Sequence, residues 1–197
     1  MAAPVLDRCF YQQNPEKVAR LLLGQLLVST IGGKKAAGII VETEAYLAKG
    51  DSAAHGFKGK NNKNSSMFGP AGNAYVYPIH ARYCFNTVTQ SPDLPSAVLI
   101  RAIQPVSGIR QMSVRRSTDD LLNLCSGPAK LCQALGIDAS ANGMDLTTRR
   151  KIWIEQSAGT VKKFKRTIRI GVTSAHDAQL RFVIAANEFA SGPKYLR

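Results

Sequence analysis

Two glutamates and a tyrosine occupy alternate positions in the segment Ala37–Tyr46, which is rich in β-branched and apolar residues and is predicted to form a strand. The two-residue period of a strand divides the segment into two faces. One face carries Ile40, Glu42, Glu44 and Tyr46, and the other carries Val41, Thr43 and Ala45. Two residues along a strand span roughly 7 Å, so Glu44 could activate a water beside a flat group that stacks on Tyr46.

The same alternation also fits a half-solvated strand whose glutamates only face water, and on the pattern alone that alternative is the more common one. Glu42 has the same spacing as Glu44 and the same side-chain chemistry. It could support the backbone, or its charge could influence the protonation of its neighbour. The strand pattern therefore identifies a pair of candidates and leaves the choice between them open.

Aromatic residues concentrate in a second predicted hairpin, with strands Ala74–Tyr77 and Arg82–Val88. Its tip exposes Ile79 and His80, with the cation of Arg82 beside them. A flat or apolar tip of this kind resembles the wedges that proteins insert between base steps to offset the cost of unstacking. An ordinary exposed hairpin whose tyrosines pack in the core explains the same composition.

The chain carries 26 Lys and Arg against 13 Asp and Glu, a formal net charge of +13. An excess of this size attracts a polyanion and favours nucleic acid, although ribosomal proteins and membrane-surface proteins share it. The candidate phosphate contacts are Lys58, Lys60, Lys63, Arg82, Arg115, Arg116, Lys162, Lys163, Lys165 and Arg166. Lys130, near a predicted helix start, could bind a phosphate together with backbone amides or have a structural role.

Cysteine and hydropathy patterns argue against several other classes. Cys9, Cys84, Cys125 and Cys132 form no C-x-x-C pair and no histidine cluster accompanies them, so buried thiols are favoured over a zinc site. The longest apolar stretch, Leu21–Val28, is far shorter than the roughly 20 residues of a membrane span, and no secretory signal is recognisable. We expect an intracellular protein without a membrane segment.

The remaining elements mix helices and strands without regular βαβ alternation. Helices are predicted from Asn14 to Gly24, over Ser107–Arg115 and over Gly127–Gly136, and strands over Gln25–Thr30, Ala97–Ile103, Lys151–Glu155, Arg166–Val172 and Leu180–Ile184. Residues Leu47–Ser66 are predicted to form a long loop. The pattern predicts one α+β domain over residues 1–197, with its core at about 10–193. We expect a mostly antiparallel curved sheet, flanked by helices, from which the hairpin protrudes.

Six segments together are far more specific than any one alone. They are Val41–Tyr46, Asp51–His55, Met67–Gly72, Ala74–Tyr77, Cys84–Asn86 and Leu124–Cys132. In order and spacing, their ETEAY, AAH, YVY and CSGPAKL motifs resemble the alkyladenine (3-methyladenine) DNA glycosylase family, from about Phe10 to Pro193. The resemblance implies a base-excision repair enzyme that flips damaged purines out of duplex DNA and hydrolyses their N-glycosidic bond. It also implies a DNA-associated protein, in the cytoplasm and nucleoid of a bacterium or the nucleus of a eukaryote.

The resemblance also implies residue roles. Glu44 becomes the general base that deprotonates water for attack on the anomeric carbon, and Arg101 and Asn86 line the same pocket. The residues that sandwich the flipped base are Tyr46, His55 and Tyr77, and His55 also contacts the edge of the base. His80 aligns with the intercalating residue, which is tyrosine in vertebrate members, and Ile79 could share its role. The expected contacts to the DNA backbone are Arg82, Lys130, Lys58 and Lys60.

One carboxylate with a water and no lysine nucleophile implies direct displacement. We therefore expect a monofunctional enzyme that forms no Schiff base and does not cleave the strand. We also expect a monomer that uses no metal or cofactor. Alkylated purines already carry positive charge, whereas hypoxanthine or ethenoadenine needs a proton donor, which the sequence does not identify. Two other classes remain open: a catalytically weak nucleic-acid-binding module, such as an RNA-binding one, in which Glu44 has no role, and a structural ribosome-associated protein.

Overall fold

Eight strands form one curled antiparallel sheet in the computed structural model, which describes residues 3–157, 161 and 163–193. The strands are β1 Leu26–Ser29, β2 Ala36–Tyr46, β3 Ala74–Ile79, β4 Arg82–Thr89, β5 Ser96–Ser107, β6 Ile152–Glu155, β7 Phe164–Thr167 and β8 Arg181–Ile184. Their order is β3-β4-β5-β2-β1-β6, and β8 pairs with both β2 and β7. The predicted α+β domain with an antiparallel curved sheet is confirmed.

Four α-helices accompany the sheet in this described part: α1 Arg8–Tyr11, α2 Pro15–Leu22, α3 Ile109–Arg116 and α4 Pro128–Leu135. The side chain of Asn14 caps α2 by accepting from the Glu16 amide at 2.9 Å. Helix α2 buries Val18, Ala19 and Leu22 in the main core. No helix in the described residues is both long enough and apolar enough to cross a membrane.

Strand β2 contains a bulge that changes which residues share a face. Ile40 pairs with Ile103, Glu42 with Ala102 and Thr43 with Ile100 of β5. Val41 on β2 and Arg101 on β5 therefore each lack an opposite residue in the register. At the same point the other edge of β2 changes partner, from β1 at Ala36–Ile39 to β8 at Glu42–Glu44. Ile40 packs in the main core, and the prediction that it shares a face with the glutamates is therefore wrong.

The hairpin of β3 and β4 closes through the two-residue turn His80-Ala81, with Ile79 paired to Arg82. Both turn residues have left-handed backbones, with φ of 44° at His80 and 60° at Ala81. These values match the turn class whose twist suits a two-residue hairpin. Ile79 is 43% exposed and His80 is also exposed, as predicted for the tip.

Two predicted strand boundaries are wrong. Strand β5 continues past Pro105 to Ser107, because Pro105 faces Gly38 where the register with β2 shifts. The predicted strand Arg166–Val172 is instead β7, Phe164–Thr167, followed by irregular backbone. There the Ile170 amide donates to the Glu44 carboxylate instead of to a neighbouring strand. Lys162, one of the candidate phosphate contacts, lies outside the described residues.

Candidate active site

Glu44 is completely buried on β2, so it is not the solvated surface residue that its strand pattern also allowed. Its Oε1 accepts from the Ile170 amide at 2.8 Å and lies 3.2 Å from Nη1 of Arg101. Its Oε2 accepts from the Tyr46 hydroxyl at 3.0 Å. Glu44 and Tyr46 therefore share a face of β2, as predicted, and the carboxylate is fixed at both oxygens.

Glu42 is also fully buried, but more groups donate to it. Its Oε1 accepts from Nε of Arg101 at 3.0 Å, from Nε of Arg181 at 2.7 Å and from the Ser191 hydroxyl at 2.8 Å. Its Oε2 accepts from the Ser191 amide at 2.6 Å. These bonds join β2 to β5, β8 and the C-terminal segment, so Glu42 holds the elements around Glu44 together.

Arg101 of β5 connects the two glutamates and is only 7% exposed. Its Nη1 also donates to the Ile170 carbonyl at 3.2 Å. Burial alone would lower the pKa of the Arg101 guanidinium, but Glu44 and Glu42 outweigh it and raise the pKa above its ordinary value. Arg101 therefore remains a fixed cation beside Glu44.

A second buried ion pair lies next to this cluster. Arg169 donates from Nη1 and Nη2 to the two carboxylate oxygens of Asp51, each at 2.7 Å, and both residues are at most 3% exposed. Its Nη1 also donates to the Ala45 carbonyl at 3.1 Å, and its guanidinium carbon lies 4.7 Å from the centre of the Tyr46 ring. The irregular segment after β7 is thereby attached to the back of the site.

Four of the predicted pocket residues line one small cavity, namely Tyr46, His55, Tyr77 and Asn86, together with Met67, Tyr75 and Ala97. Neither Glu44 nor Arg101, which was predicted to line the pocket, borders this cavity, and Glu44 lies buried behind Tyr46, whose hydroxyl donates a hydrogen bond to it. The free volume is about 20 Å³, room for about one water molecule. The rings of His55 and Tyr77 pack edge to face with centroids 4.5 Å apart, and Tyr75 lies 5.5 Å from Tyr77.

Hydrogen bonds and burial set the protonation states and positions of the residues that line the cavity. Nδ1 of His55 lies 2.7 Å from the Tyr75 hydroxyl, and burial lowers the pKa of the imidazole. Burial raises the pKa of Tyr75 to about 12, and burial together with Glu44 raises that of Tyr46. Asn86 donates to the Tyr75 carbonyl at 2.9 Å, which fixes its amide against the cavity. At neutral pH the cavity is therefore lined by uncharged aromatic rings beside a buried carboxylate.

The sequence that forms this cavity matches known proteins along nearly the whole chain. Residues 9–188 match the methylpurine-DNA glycosylase family. The chain belongs to this family. A relative from Rhodopirellula baltica is 43% identical over 95% of this chain and 83% of its own, and one from Methanoculleus marisnigri is 43% identical over 94% and 98%. Both bear the name "Putative 3-methyladenine DNA glycosylase". The chain is accordingly a DNA glycosylase, a hydrolase of DNA repair.

The cations expected to contact DNA differ in how this glycosylase holds them. Arg82 is exposed and donates to Oε1 of Gln133 on α4 at 2.7 Å, which ties the hairpin to that helix. Lys130 donates to Oδ1 of Asn123 near the start of α4. Lys60 lies 5.9 Å from the centre of the Phe68 ring, and Lys58 is exposed in the same loop. The hairpin that carries Tyr77 and the loop that carries His55 thus both present positive charge.

Arg115 and Arg116 have structural contacts in the glycosylase. Arg115 donates to the Ile31 and Ala134 carbonyls at 2.6 and 3.0 Å. Nη1 of Arg116 donates to Oε1 of Gln133 at 2.7 Å, the oxygen that also accepts from Arg82. Arg166 forms a surface pair with Glu16 at 2.6 Å. These three guanidiniums are therefore used, at least in part, within the fold.

Sequence reasoning missed most of the partners of the two glutamates. Arg169 and Ile170 were included in a predicted strand, and Arg181 and Ser191 had no predicted role. Asp51 appeared only inside the Asp51–His55 motif. A buried carboxylate requires cations or amide donors, which signals that such partners exist but not where in the chain they are.

Proposed function

We propose that this glycosylase flips a damaged purine out of duplex DNA and hydrolyses its N-glycosidic bond with a water that Glu44 activates. The observation that carries the proposal is the hydrogen bond from the Tyr46 hydroxyl to Glu44. It links the carboxylate to the aromatic cavity, because Tyr46 lines that cavity. A base stacked on Tyr46 brings its sugar close to the carboxylate. General base catalysis needs such reach, either directly or through one water.

The contacts of the two glutamates favour Glu44 over Glu42 as the base. Glu42 accepts from four protein donors, and bonds to the protein occupy both of its oxygens. Oε2 of Glu44 accepts only from the Tyr46 hydroxyl among the bonds found in the described residues. A carboxylate oxygen has about two acceptor sites, so Oε2 retains capacity for a water.

The cavity suits a flat base once its walls separate. The four aromatic rings of Tyr46, His55, Tyr75 and Tyr77 offer faces for stacking, and stacking is tolerant of base identity. A sandwiched ring needs about 7 Å between the rings on either side, twice a contact distance of about 3.5 Å. The ring of His55 is partly buried against Tyr75 and Tyr77, but the residue as a whole is exposed, so that wall has room to move. Tyr46, His55 and Tyr77 then hold the base, and Asn86 borders it.

The charges around the carboxylates support a monofunctional reaction. The cations that contact Glu42, Glu44 and Asp51 in the described part of the chain are arginines, which do not form Schiff bases with the sugar. Hydrolysis by water therefore leaves the DNA strand uncut. Alkylated purines depart from the sugar without further protonation because they already carry positive charge. Neutral hypoxanthine or ethenoadenine requires a proton donor.

The hairpin tip supplies the wedge in this proposal. His80 and Ile79 are exposed at the end of a hairpin that Arg82 anchors to α4. An inserted imidazole or isoleucine replaces the stacking lost when the purine leaves the duplex. Arg82, Lys130, Lys58 and Lys60 contact the phosphates, and a monomer with one such site acts on one lesion at a time.

Glu44→Gln tests the catalytic role. We expect loss of excision of hypoxanthine or ethenoadenine from an oligonucleotide duplex, measured by alkaline cleavage of the abasic product, with lesion binding nearly intact. Glu16→Gln is the matched control, because it removes a surface carboxylate that pairs with Arg166. Excision at the wild-type rate by Glu44→Gln would reject Glu44 as the base. Wild-type protein that binds lesion DNA or structured RNA without excising any base would favour a binding module instead.

A further inference from the structure

The guanidinium of Arg169 lies against the ring of Tyr46, with its central carbon 4.7 Å from the ring centroid. Arg169 is 3% exposed and does not line the aromatic cavity, whereas Tyr46 does. The cation therefore lies behind the tyrosine, on the side away from the cavity. A cation within about 6 Å of a ring face is attracted by the electron density of that ring.

The protein holds this cation rigidly. Asp51 accepts two bonds of 2.7 Å from it, the bidentate geometry that fixes a guanidinium most firmly. The Asp51 carboxylate also accepts from the Leu47 amide at 3.0 Å and the Ala53 amide at 3.2 Å, so it is itself immobile. The Ala45 carbonyl accepts a further bond of 3.1 Å from Arg169. The guanidinium cannot leave the ring without breaking buried bonds.

A fixed cation behind a ring changes what the front of the ring attracts. It draws π-electron density toward itself, so the opposite face becomes less attractive to a second cation. The negative charge of Asp51 lies beyond the guanidinium and compensates it only in part at the ring. A neutral base on the cavity side is affected less, because it lacks the net charge on which the field acts.

We propose that Arg169 is a specificity-determining residue, which weakens the stacking of positively charged purines on Tyr46 relative to neutral ones. This inference rests on the proposed function, because it requires that the excised base stacks on Tyr46. As a consequence, the excision rates of cationic alkylated purines and of neutral lesions differ less than the chemistry of their leaving groups alone would predict. Asp51 is the positioning residue that keeps the guanidinium in place.

A competition experiment measures this effect directly. Two duplexes of different length, one with N7-methylguanine and one with hypoxanthine, are mixed in one reaction, and the ratio of their excision rates is determined. That ratio does not depend on the fraction of enzyme that is folded. The variants are Asp51→Asn combined with Arg169→Gln, Arg169→Gln alone, and Arg169→Lys as the control that keeps the charge.

The double variant Asp51→Asn, Arg169→Gln replaces the ion pair by two uncharged side chains. We expect it to raise the ratio of the N7-methylguanine to the hypoxanthine excision rate by roughly threefold, the scale of one cation–π contact. Arg169→Gln alone should raise it further, because the carboxylate of Asp51 stays behind the ring. Arg169→Lys should slow both reactions but leave the ratio near that of the wild type. An unchanged ratio in the first two variants would overturn the proposal, and a wild-type enzyme that excises neither base would contradict the proposed function instead.

Discussion

Glu42 and Glu44 are separated by one residue, but the structure gives them different surroundings. We expect Glu42→Gln to lower the free energy of unfolding by about 3 kcal/mol, because breaking a buried ion pair leaves uncompensated charge. Arg101 and Arg181 each lose this carboxylate as a partner, while Arg101 keeps Glu44. Urea denaturation followed by circular dichroism measures the change.

The matched control is again Glu16→Gln. Glu16 pairs with Arg166 at the surface, and such pairs contribute at most about 1 kcal/mol. A loss below about 1 kcal/mol for Glu42→Gln, similar to that of the control, would show that Glu42 is not an organising charge.

His55 gives the fold a pH dependence with a definite sign. Burial lowers its pKa in the folded state, so the unfolded chain binds its proton first as the pH falls below about 6.5. Its contribution to stability is intact above that pH and decreases as the pH falls toward the lowered value. His55→Gln should therefore flatten the decrease of thermal stability between about pH 6.5 and 5. Identical pH profiles for variant and wild type would contradict this expectation.

At the level of elements, the hairpin tip contains a residue poorly suited to its backbone. Ala81 has φ of 60°, and left-handed backbone costs a residue with a Cβ roughly 1–2 kcal/mol. Glycine loses more entropy on folding, by about 0.5–1 kcal/mol. Ala81→Gly should thus stabilise the protein slightly, by roughly 0.5 kcal/mol, as a small rise in Tm.

The same substitution leaves His80 and Ile79 in place, so excision from duplex DNA should stay close to the wild-type rate. Gly143→Ala is a useful opposite case, because Gly143 has φ of 83° and nothing lies within 4 Å of an added Cβ. Gly143→Ala should destabilise the protein only through the strain of a left-handed backbone, because the added Cβ meets no neighbour. A lower Tm for Ala81→Gly would mean that the turn is not strained.

His80→Ala tests the wedge itself. We expect it to weaken binding to a lesion-containing duplex more than binding to the same lesion in single-stranded DNA, because only the duplex requires unstacking. Fluorescence anisotropy with the two substrates gives both dissociation constants. Ile79→Ala in parallel separates the two tip residues. Equal losses on duplex and single strand would reject the wedge.

Local signals allowed most elements to be predicted from the sequence. The cap at Asn14, the two hairpins and helix α4 depend on residues close together in the chain, and their existence is confirmed. The bulge at Val41 was missed because it occurs where β2 changes from one partner strand to another. The Asp51–Arg169 pair spans 118 residues, and no local pattern indicates such a contact. The roles assigned to the site residues, including Glu44, remain predictions that rest on the family resemblance.

At the level of the whole molecule, two pairs of lysines that contribute to the net charge of +13 lie beyond opposite ends of β2. Lys34 and Lys35 precede the first residue of β2, and Tyr46 is its last. Ten residues of strand place these two ends roughly 33 Å apart. Lys58 and Lys60 belong to the loop that follows Tyr46 and includes His55 of the cavity wall. These exposed lysine pairs therefore have equal charge but different distances from the cavity.

The salt dependence of DNA binding distinguishes the two lysine pairs. Each phosphate contact releases counterions and makes the plot of log association constant against log salt concentration steeper by about 0.9. We expect replacement of Lys58 and Lys60 by alanine to reduce that slope by about 2 for a short lesion duplex. The same replacement of Lys34 and Lys35 lowers the net charge equally and should leave the slope nearly unchanged. Equal effects of the two double variants would mean that DNA responds to the total charge of the protein and not to phosphate contacts beside the cavity.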